Sequence, residues 1–478
     1  VQIFKQWPIY LIGRILPAAI GFCGIALYTR MVDPASFGTY ALLLSTSFLI
    51  GMTCFSWLRV ATLRTMSTVA PDDEADFAAT IGVSFAGTSL LVAILTIGTL
   101  RILNPAIPFT SDLLAAAAAI ASGWFELNVT IVQARMHLVM YGLLQAARAT
   151  SALLASVVLI GAGLKANALL GGFAIGNCAG FAVVATWSPM LRGRFRMHVF
   201  RQLFRFGWPS SAASLTYLSV TFQRYMLTIV GGSAAVGVFA ATYDFSQQTI
   251  GLLMGTVLIA GQPLAFRARD LGRHDELTDQ LRNNARLVFA VGLGSSAGLI
   301  ALAGPIAHLY LGAKFQTNAA ILLAISAAAM FVAGFRGQYF EQAFEIARDT
   351  RPMAYIAAFR TILAVALSFF LITRWGAIGA ASATLGTEFL GLALSIVWAQ
   401  RLMQVPLPFG SFAKIIAATC AMMVVIALLP SRYATEGFVL AVVGGTLTFA
   451  AALTVMHARQ IAASLNVQHP LARWLSRT

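Results

Sequence analysis

Phe77-Ala-Ala-Thr-Ile-Gly-Val-Ser-Phe-Ala-Gly-Thr-Ser-Leu-Leu-Val-Ala-Ile-Leu-Thr-Ile-Gly-Thr-Leu100 runs for 24 residues without a charge and then meets Arg101. As a helix rising 1.5 Å per residue, such a block covers the ~30 Å hydrocarbon core of a bilayer. A strand of a membrane barrel would instead alternate polar and apolar residues over about ten positions. Similar blocks recur along the 478 residues, of which 59% are hydrophobic and 10% charged. A soluble domain carries roughly 25% charged residues, so these charges are too few to clothe a globular core. The sequence therefore predicts an all-α fold, a polytopic transmembrane helical bundle.

The blocks place about 14 helices at 9–28, 39–58, 77–100, 112–132, 142–163, 167–187, 206–230, 236–260, 287–303, 318–340, 353–373, 376–398, 411–429 and 437–455. The first block lacks a small-residue cleavage pattern and reads as a retained helix. The net charge of +15 is distributed among the short connections, which is a topological use of Lys and Arg and argues against a nucleic-acid partner. With the N-terminus inside, 21 basic residues fall on one side (Lys414, at the end of its span, among them), six on the other and five deep within spans. That bias predicts a multi-pass protein with both termini cytoplasmic. Two Arg-rich stretches, 188–205 and 262–286, read as the longest cytoplasmic loops. Cys23, Cys54, Cys178 and Cys420 all lie within spans, so no disulfide framework is expected.

Thr29-Arg-Met-Val-Asp-Pro-Ala-Ser-Phe-Gly38-Thr-Tyr-Ala41 aligns without a gap with Thr228-Ile-Val-Gly-Gly-Ser-Ala-Ala-Val-Gly237-Val-Phe-Ala240, at an offset of 199. Each stretch is the short turn between the first two helices of its half, and paired repeats are a common way to build transporters.

Charges inside a membrane are costly, so each is a functional candidate. Five arginines (Arg14, Arg148, Arg224, Arg336 and Arg360) and three acids (Glu126, Asp244 and Glu388) lie deep within spans. Equal depth on consecutive helices pairs Glu126 with Arg148, and Arg224 with Asp244. Both pairs read as interhelical salt bridges as well as they read as site groups. Arg14, Arg336 and Arg360 have no evident partner. Arg336 is near enough to its span end to snorkel, whereas Arg14 and Arg360 are deeper and suit an aqueous cavity. Open to the cytoplasm, such guanidinium groups fit a phosphate or pyrophosphate.

Tyr217, Thr221, Arg224 and Thr228 share one helical face, and Tyr243, Asp244, Gln247 and Gln248 cluster over one turn. Each set reads as cavity lining or as interhelical glue. There is no phosphate-binding glycine loop and no His or Cys cluster with metal spacing, so neither a metal nor a cofactor is expected. Asp72, Asp73, Glu74 and Asp76 read as a solvated acidic face capping the third span.

Three segments carry a resemblance. They are Tyr28-Thr-Arg-Met-Val-Asp-Pro-Ala-Ser-Phe-Gly-Thr-Tyr40, the Gln223-to-Phe239 stretch with its glycine turn, and Leu311-Gly-Ala-Lys-Phe-Gln-Thr-Asn-Ala-Ala320. In order and spacing the chain resembles the polysaccharide-transport family, the Wzx-type O-antigen flippases of the multidrug/oligosaccharidyl-lipid/polysaccharide flippase superfamily. The resemblance implies two six-helix lobes around a central cavity plus two C-terminal helices, here 1–190, 191–402 and 403–478. It also implies a bacterial inner-membrane protein that moves a lipid-linked oligosaccharide repeat unit on a polyprenyl pyrophosphate, for O-antigen, capsule or exopolysaccharide. Arg14 and Arg224 would then meet the pyrophosphate, and Tyr243, Asp244 and Gln247 the sugar or a coupling ion, with Arg360 as a further cavity group. Expected partners are membrane lipids, a polysaccharide polymerase and a chain-length regulator. Relatives often carry an acid before the helix-seven arginine, where this chain has Gln223. The competing readings are a cation-coupled multidrug exporter and a membrane-embedded polymerase or ligase.

Overall fold

A computed structural model describes residues 2–66, 69–135, 137–179, 193–213, 216–349, 351–429 and 433–456. Among these residues the secondary structure is helical throughout, without strands. A helix bonds its backbone polar groups inside its own segment, as lipid requires. The order is α1 (Gln2–Met31), α2 (Pro34–Thr65), α3 (Glu74–Leu103), α4 (Phe109–Ala134), α5 (Leu138–Gly161), α6 (Lys165–Asn177), α7 (Met197–Ala213) and α8 (Tyr217–Asp270). Then follow α9 (His274–Ala301), α10 (Ala303–Leu309), α11 (Ala319–Phe335), α12 (Glu341–Ile346), α13 (Arg351–Leu402), α14 (Phe409–Leu428) and α15 (Thr435–Met456).

Ten helices among the described residues are long and apolar enough to cross a membrane. Two of these, α8 and α13, are double length, and each breaks at a glycine in the left-handed region: Gly232 at φ 74° and Gly376 at φ 54°. Counting the halves separately gives twelve spans, and α1 and α6 stand where the sequence places the first and sixth. The fold is a polytopic helical bundle.

The helices overrun the spans. α2 continues to Thr65, and α8 and α9 leave only 271–273 between them, so the expected loop at 262–286 is largely helix. α7 likewise occupies part of the expected loop 188–205. Hydropathy marks where the apolar part of a helix ends, but Arg, Gln and Glu carry a helix onward at little cost.

The described residues group into two compact units: Val1–Ala240 with Thr361–Ala377, and Ala241–Arg360 with Ile378–Thr478. The first has a core of Trp57, Leu58, Phe77, Ile81, Phe125, Val129 and Leu203. Buried Gln223 donates to Ser368 Oγ at 3.0 Å, tying the 361–377 segment into this unit. In the second unit, Phe289 stacks on Phe412 at 4.3 Å and meets Phe331 and Phe335 edge-on.

The turn into α2 follows from Val-Asp-Pro-Ala-Ser. Pro34 opens the helix at its first turn, and Asp33 caps it, accepting from Ser36 N at 2.9 Å and Ser36 Oγ at 2.8 Å. The Ser36 backbone amide, reinforced by its hydroxyl, holds the Asp33 carboxyl below its ordinary value. A carboxyl lowered on folding adds stability that is complete above its unfolded value and is lost as pH falls through the folded one. Asp33→Ala should cost about 1 kcal/mol, read as a lower thermal midpoint in detergent. The difference from the parent should shrink in acid.

Candidate functional site

The two turns matched at an offset of 199 in the sequence pack against each other within the first unit. A Cβ added at Gly38 would press on the carbonyl oxygen of Ser233 and lie 2.8 Å from Gly237 N. One added at Gly237 would press on the carbonyl oxygen of Pro34 and lie 3.1 Å from Gly38 N. Pro34 and Ser233 are themselves 199 apart, so the contact is reciprocal, as across a local two-fold axis. Only residues without side chains let the two backbones approach this closely.

Hydrogen bonds extend the same seam. Arg224 is buried and donates through Nη1 to the Ala41 carbonyl at 2.7 Å. Thr221 donates to the Ser45 carbonyl at 3.1 Å, and the Thr46 and Tyr225 hydroxyls lie 3.0 Å apart. Thr228 bonds back to the Arg224 carbonyl of its own helix, and Tyr217 is exposed. The polar stripe of α8 thus joins α8 to α2 through its middle residues. Tyr243 and Asp244 are part-buried and Gln247 is exposed, all within the second unit. Arg14 falls on α1, with its side chain outside the described residues.

Glu126 lies between two arginines. Its Oε1 is 3.9 Å from Arg148, and its Oε2 is 3.4 Å from Arg59 on α2. The Arg148 guanidinium also sits 4.7 Å from the Phe125 ring centre. Arg59, expected in a loop, is still helical because α2 runs to Thr65.

Arg360 and Arg336, expected without partners, are both paired. Glu388 accepts from Arg336 Nε at 3.1 Å through one oxygen and from Arg360 through the other, while Arg336 also pairs with Glu341. Arg336 and Glu388 side chains are each only 8% exposed, so Arg336 does not snorkel. Arg336 opens a π-helical turn, Arg336–Phe340, between α11 and α12. Such turns recur at functional sites. Depth arithmetic could have found this pair too: Arg360 and Glu388 flank the 374–375 turn almost symmetrically.

The acidic run is not simply a solvated face. Asp76 accepts from Arg194 N at 2.7 Å and Arg196 Nε at 2.6 Å, and Glu74 pairs with Arg135. These bonds pin the chain after residue 192 onto α3, beside a cavity of 530 Å³ lined in part by Asp73, Arg196, His198 and Gln202. Among the described residues, no group of three His, Cys, Asp or Glu could hold a metal ion.

Comparison with known proteins adds a family and a fold. Residues 27–320 match a family model described as polysaccharide biosynthesis protein. No curated protein matches the chain in sequence. The chain is similar in structure to the lipid II flippase MurJ in an inward closed conformation, with a TM-score of 0.79 at 13% identity over 95% of this chain and 99% of that one. It is also similar to an inward-facing multidrug resistance MATE family transporter of the MOP superfamily, with a TM-score of 0.66 at 13% identity over 82% of this chain and 98% of that one. A MOP superfamily transporter from Pyrococcus furiosus matches at a TM-score of 0.55, 13% identity, and 84% and 96% of the two chains. At these identities the structural matches establish the fold alone.

Proposed function

The chain belongs to the polysaccharide biosynthesis protein family, and on that premise we propose that it is a flippase for a polyprenyl-pyrophosphate-linked oligosaccharide repeat unit in a bacterial cytoplasmic membrane. The family match over 27–320 carries the reading. The transporter fold supports it, as does the excess of arginine over acid within the spans, which suits an anionic headgroup. The bias of basic residues, 21 against six, supports cytoplasmic termini. The product would serve O-antigen, capsule or exopolysaccharide assembly, with a polymerase and a chain-length regulator acting after it. Either an ion gradient or the substrate gradient supplies the energy.

In this reading Arg14 and Arg224 grip the pyrophosphate. Arg224 exchanges the Ala41 carbonyl for a phosphate oxygen when α2 and α8 part, and Tyr243, Asp244 and Gln247 face sugar or coupling ion. Reconstitution in liposomes with a fluorescent lipid-linked oligosaccharide tests it. The parent should translocate the lipid, and Arg14→Ala and Arg224→Ala should each slow it roughly tenfold or more, the loss of a charge-assisted bidentate contact. Absence of translocation by the parent, or variants indistinguishable from it, would sink the reading. The match to a MATE transporter favours a second one, a cation-coupled multidrug exporter. Drug resistance conferred on expression, with no lipid translocation, would select it.

A further inference from the structure

Two guanidinium groups share one carboxylate in the first unit, and their charges do not cancel. Arg59 and Arg148 bring two positive charges to the single negative charge of Glu126, which among the described residues is their one acidic partner. The contacts are loose at 3.4 and 3.9 Å. A guanidinium carries five N–H donors, and Arg59 spends one on Glu126, while Arg148 at 3.9 Å is beyond hydrogen-bond range. The side chains are 39%, 31% and 25% exposed for Arg59, Arg148 and Glu126, so the unused donors are reachable from outside the unit. A neutral ion pair would need nothing more. A cluster with one surplus charge near the end of a membrane span calls for a counter-ion.

We propose that Arg59, Arg148 and Glu126 form a binding site for a lipid-borne phosphate group. The small cavity beside Arg59 and Glu126, about 10 Å³ and lined by Ser56, Phe85, Ser122 and Gly123, holds no more than a water. The phosphate therefore sits against the open sides of the two guanidinium forks rather than inside the helix bundle. Its oxygens accept from the free N–H groups of both, with the Phe125 ring holding the Arg148 guanidinium in place. Glu126 spaces the two arginines and lowers the site charge from two to one, which allows release as well as capture. Two lipid phosphates share this chemistry: the pyrophosphate of a carrier lipid and the headgroup of an anionic phospholipid. Only the first assignment rests on the transport reading.

The sign of one substitution separates this site from a structural salt bridge. Glu126→Gln raises the site charge and should tighten binding of farnesyl pyrophosphate to the full chain in nanodiscs about tenfold, whereas Arg59→Gln and Arg148→Gln should each weaken it about tenfold. A structural pair predicts that Glu126→Gln and Arg148→Gln lower thermal stability alike and leave affinity unchanged. Weaker binding in Glu126→Gln, or unchanged binding in Arg59→Gln and Arg148→Gln, overturns the proposal. If Glu126→Gln fails to fold, Arg59→Gln, which leaves the Glu126–Arg148 pair intact, decides the matter alone. Repeating the titration in phosphatidylcholine and phosphatidylglycerol discs distinguishes the sources. Competition by phosphatidylglycerol assigns the site to a phospholipid headgroup, indifference to it assigns the site to the carrier pyrophosphate, and either outcome supports the phosphate chemistry. Binding at equilibrium involves no translocation. A protein that binds but does not flip keeps this site and loses the transport reading, and the converse result does the reverse.

Discussion

Alanine at Gly38 and alanine at Gly237 should each destabilise the protein by about 3 kcal/mol, the upper part of the range for an overpacked contact. Nothing flexible lies in the way of either new methyl group. Each meets backbone, the Ser233 carbonyl in one case and the Pro34 carbonyl in the other, so the two turns must separate to admit it. Helix propensity runs the other way, because alanine is favoured over glycine by about 1 kcal/mol in a helix interior. Gly87 and Gly98 on α3 have nothing within 4 Å of a built Cβ. Alanine there should therefore be neutral or stabilising, and these variants serve as controls.

The reciprocal geometry adds a sharper expectation. Once the turns have parted to admit one methyl group, the second enters without further cost. The double variant should then cost little more than either single one, a strong departure from additivity. Thermal unfolding of the purified parent and the five variants measures these differences. Additive losses, or glycine variants no worse than the α3 controls, would show that the seam is not shared. If transport involves parting this seam, 3 kcal/mol corresponds to a shift of about 150-fold in the balance of closed and open forms. A translocation assay would register that as a change in rate even where the variants still fold.

The seam also marks how far the sequence could be read. Its existence was legible, because the offset of 199 aligned Gly38 with Gly237. Its meaning was not, since a linear repeat does not say that the two copies touch. Similarly, the apolar blocks located the spans because lipid forces helices wherever twenty apolar residues occur. The blocks misplaced the ends, and with them Arg59, which left the Glu126 cluster one arginine short. Buried charges could be placed by depth along a helix but not by rotation about it. Depth brought Glu126 and Arg148 together, and the same arithmetic would have joined Arg360 to Glu388. It could not have found Glu341, which reaches Arg336 across a π-helical turn that no local pattern announces.

That four-membered cluster yields the other large effect. Arg336, Arg360, Glu341 and Glu388 sum to zero charge, and Glu388 is the member that both arginines share. Glu388→Gln leaves two guanidinium groups with one carboxylate in a site where Arg336 is 8% exposed and Arg360 Nε is already buried without an acceptor. Removing one partner of a buried ion pair costs roughly 3–5 kcal/mol, chiefly because the remaining charge loses its compensation. Arg360→Gln should cost a comparable amount with the opposite sign of surplus charge. The double variant Glu388→Gln with Arg360→Gln restores neutrality and keeps the Arg336–Glu341 pair, so it should recover to within about 2 kcal/mol of the parent.

An exposed pair calibrates the scale. Arg273 and Glu276 lie 3.1 Å apart at 57% and 60% exposure, and Glu276→Gln should change stability by less than about 0.5 kcal/mol. If Glu388→Gln is no worse than Glu276→Gln, the network does not neutralise buried charge, and Arg336 and Arg360 find other company. If the double variant falls as far as the sum of the singles, the two residues act apart, and the shared carboxylate is a coincidence of placement. Recovery in the double variant alone isolates charge balance, rather than any one contact, as what Glu388 supplies to the second unit.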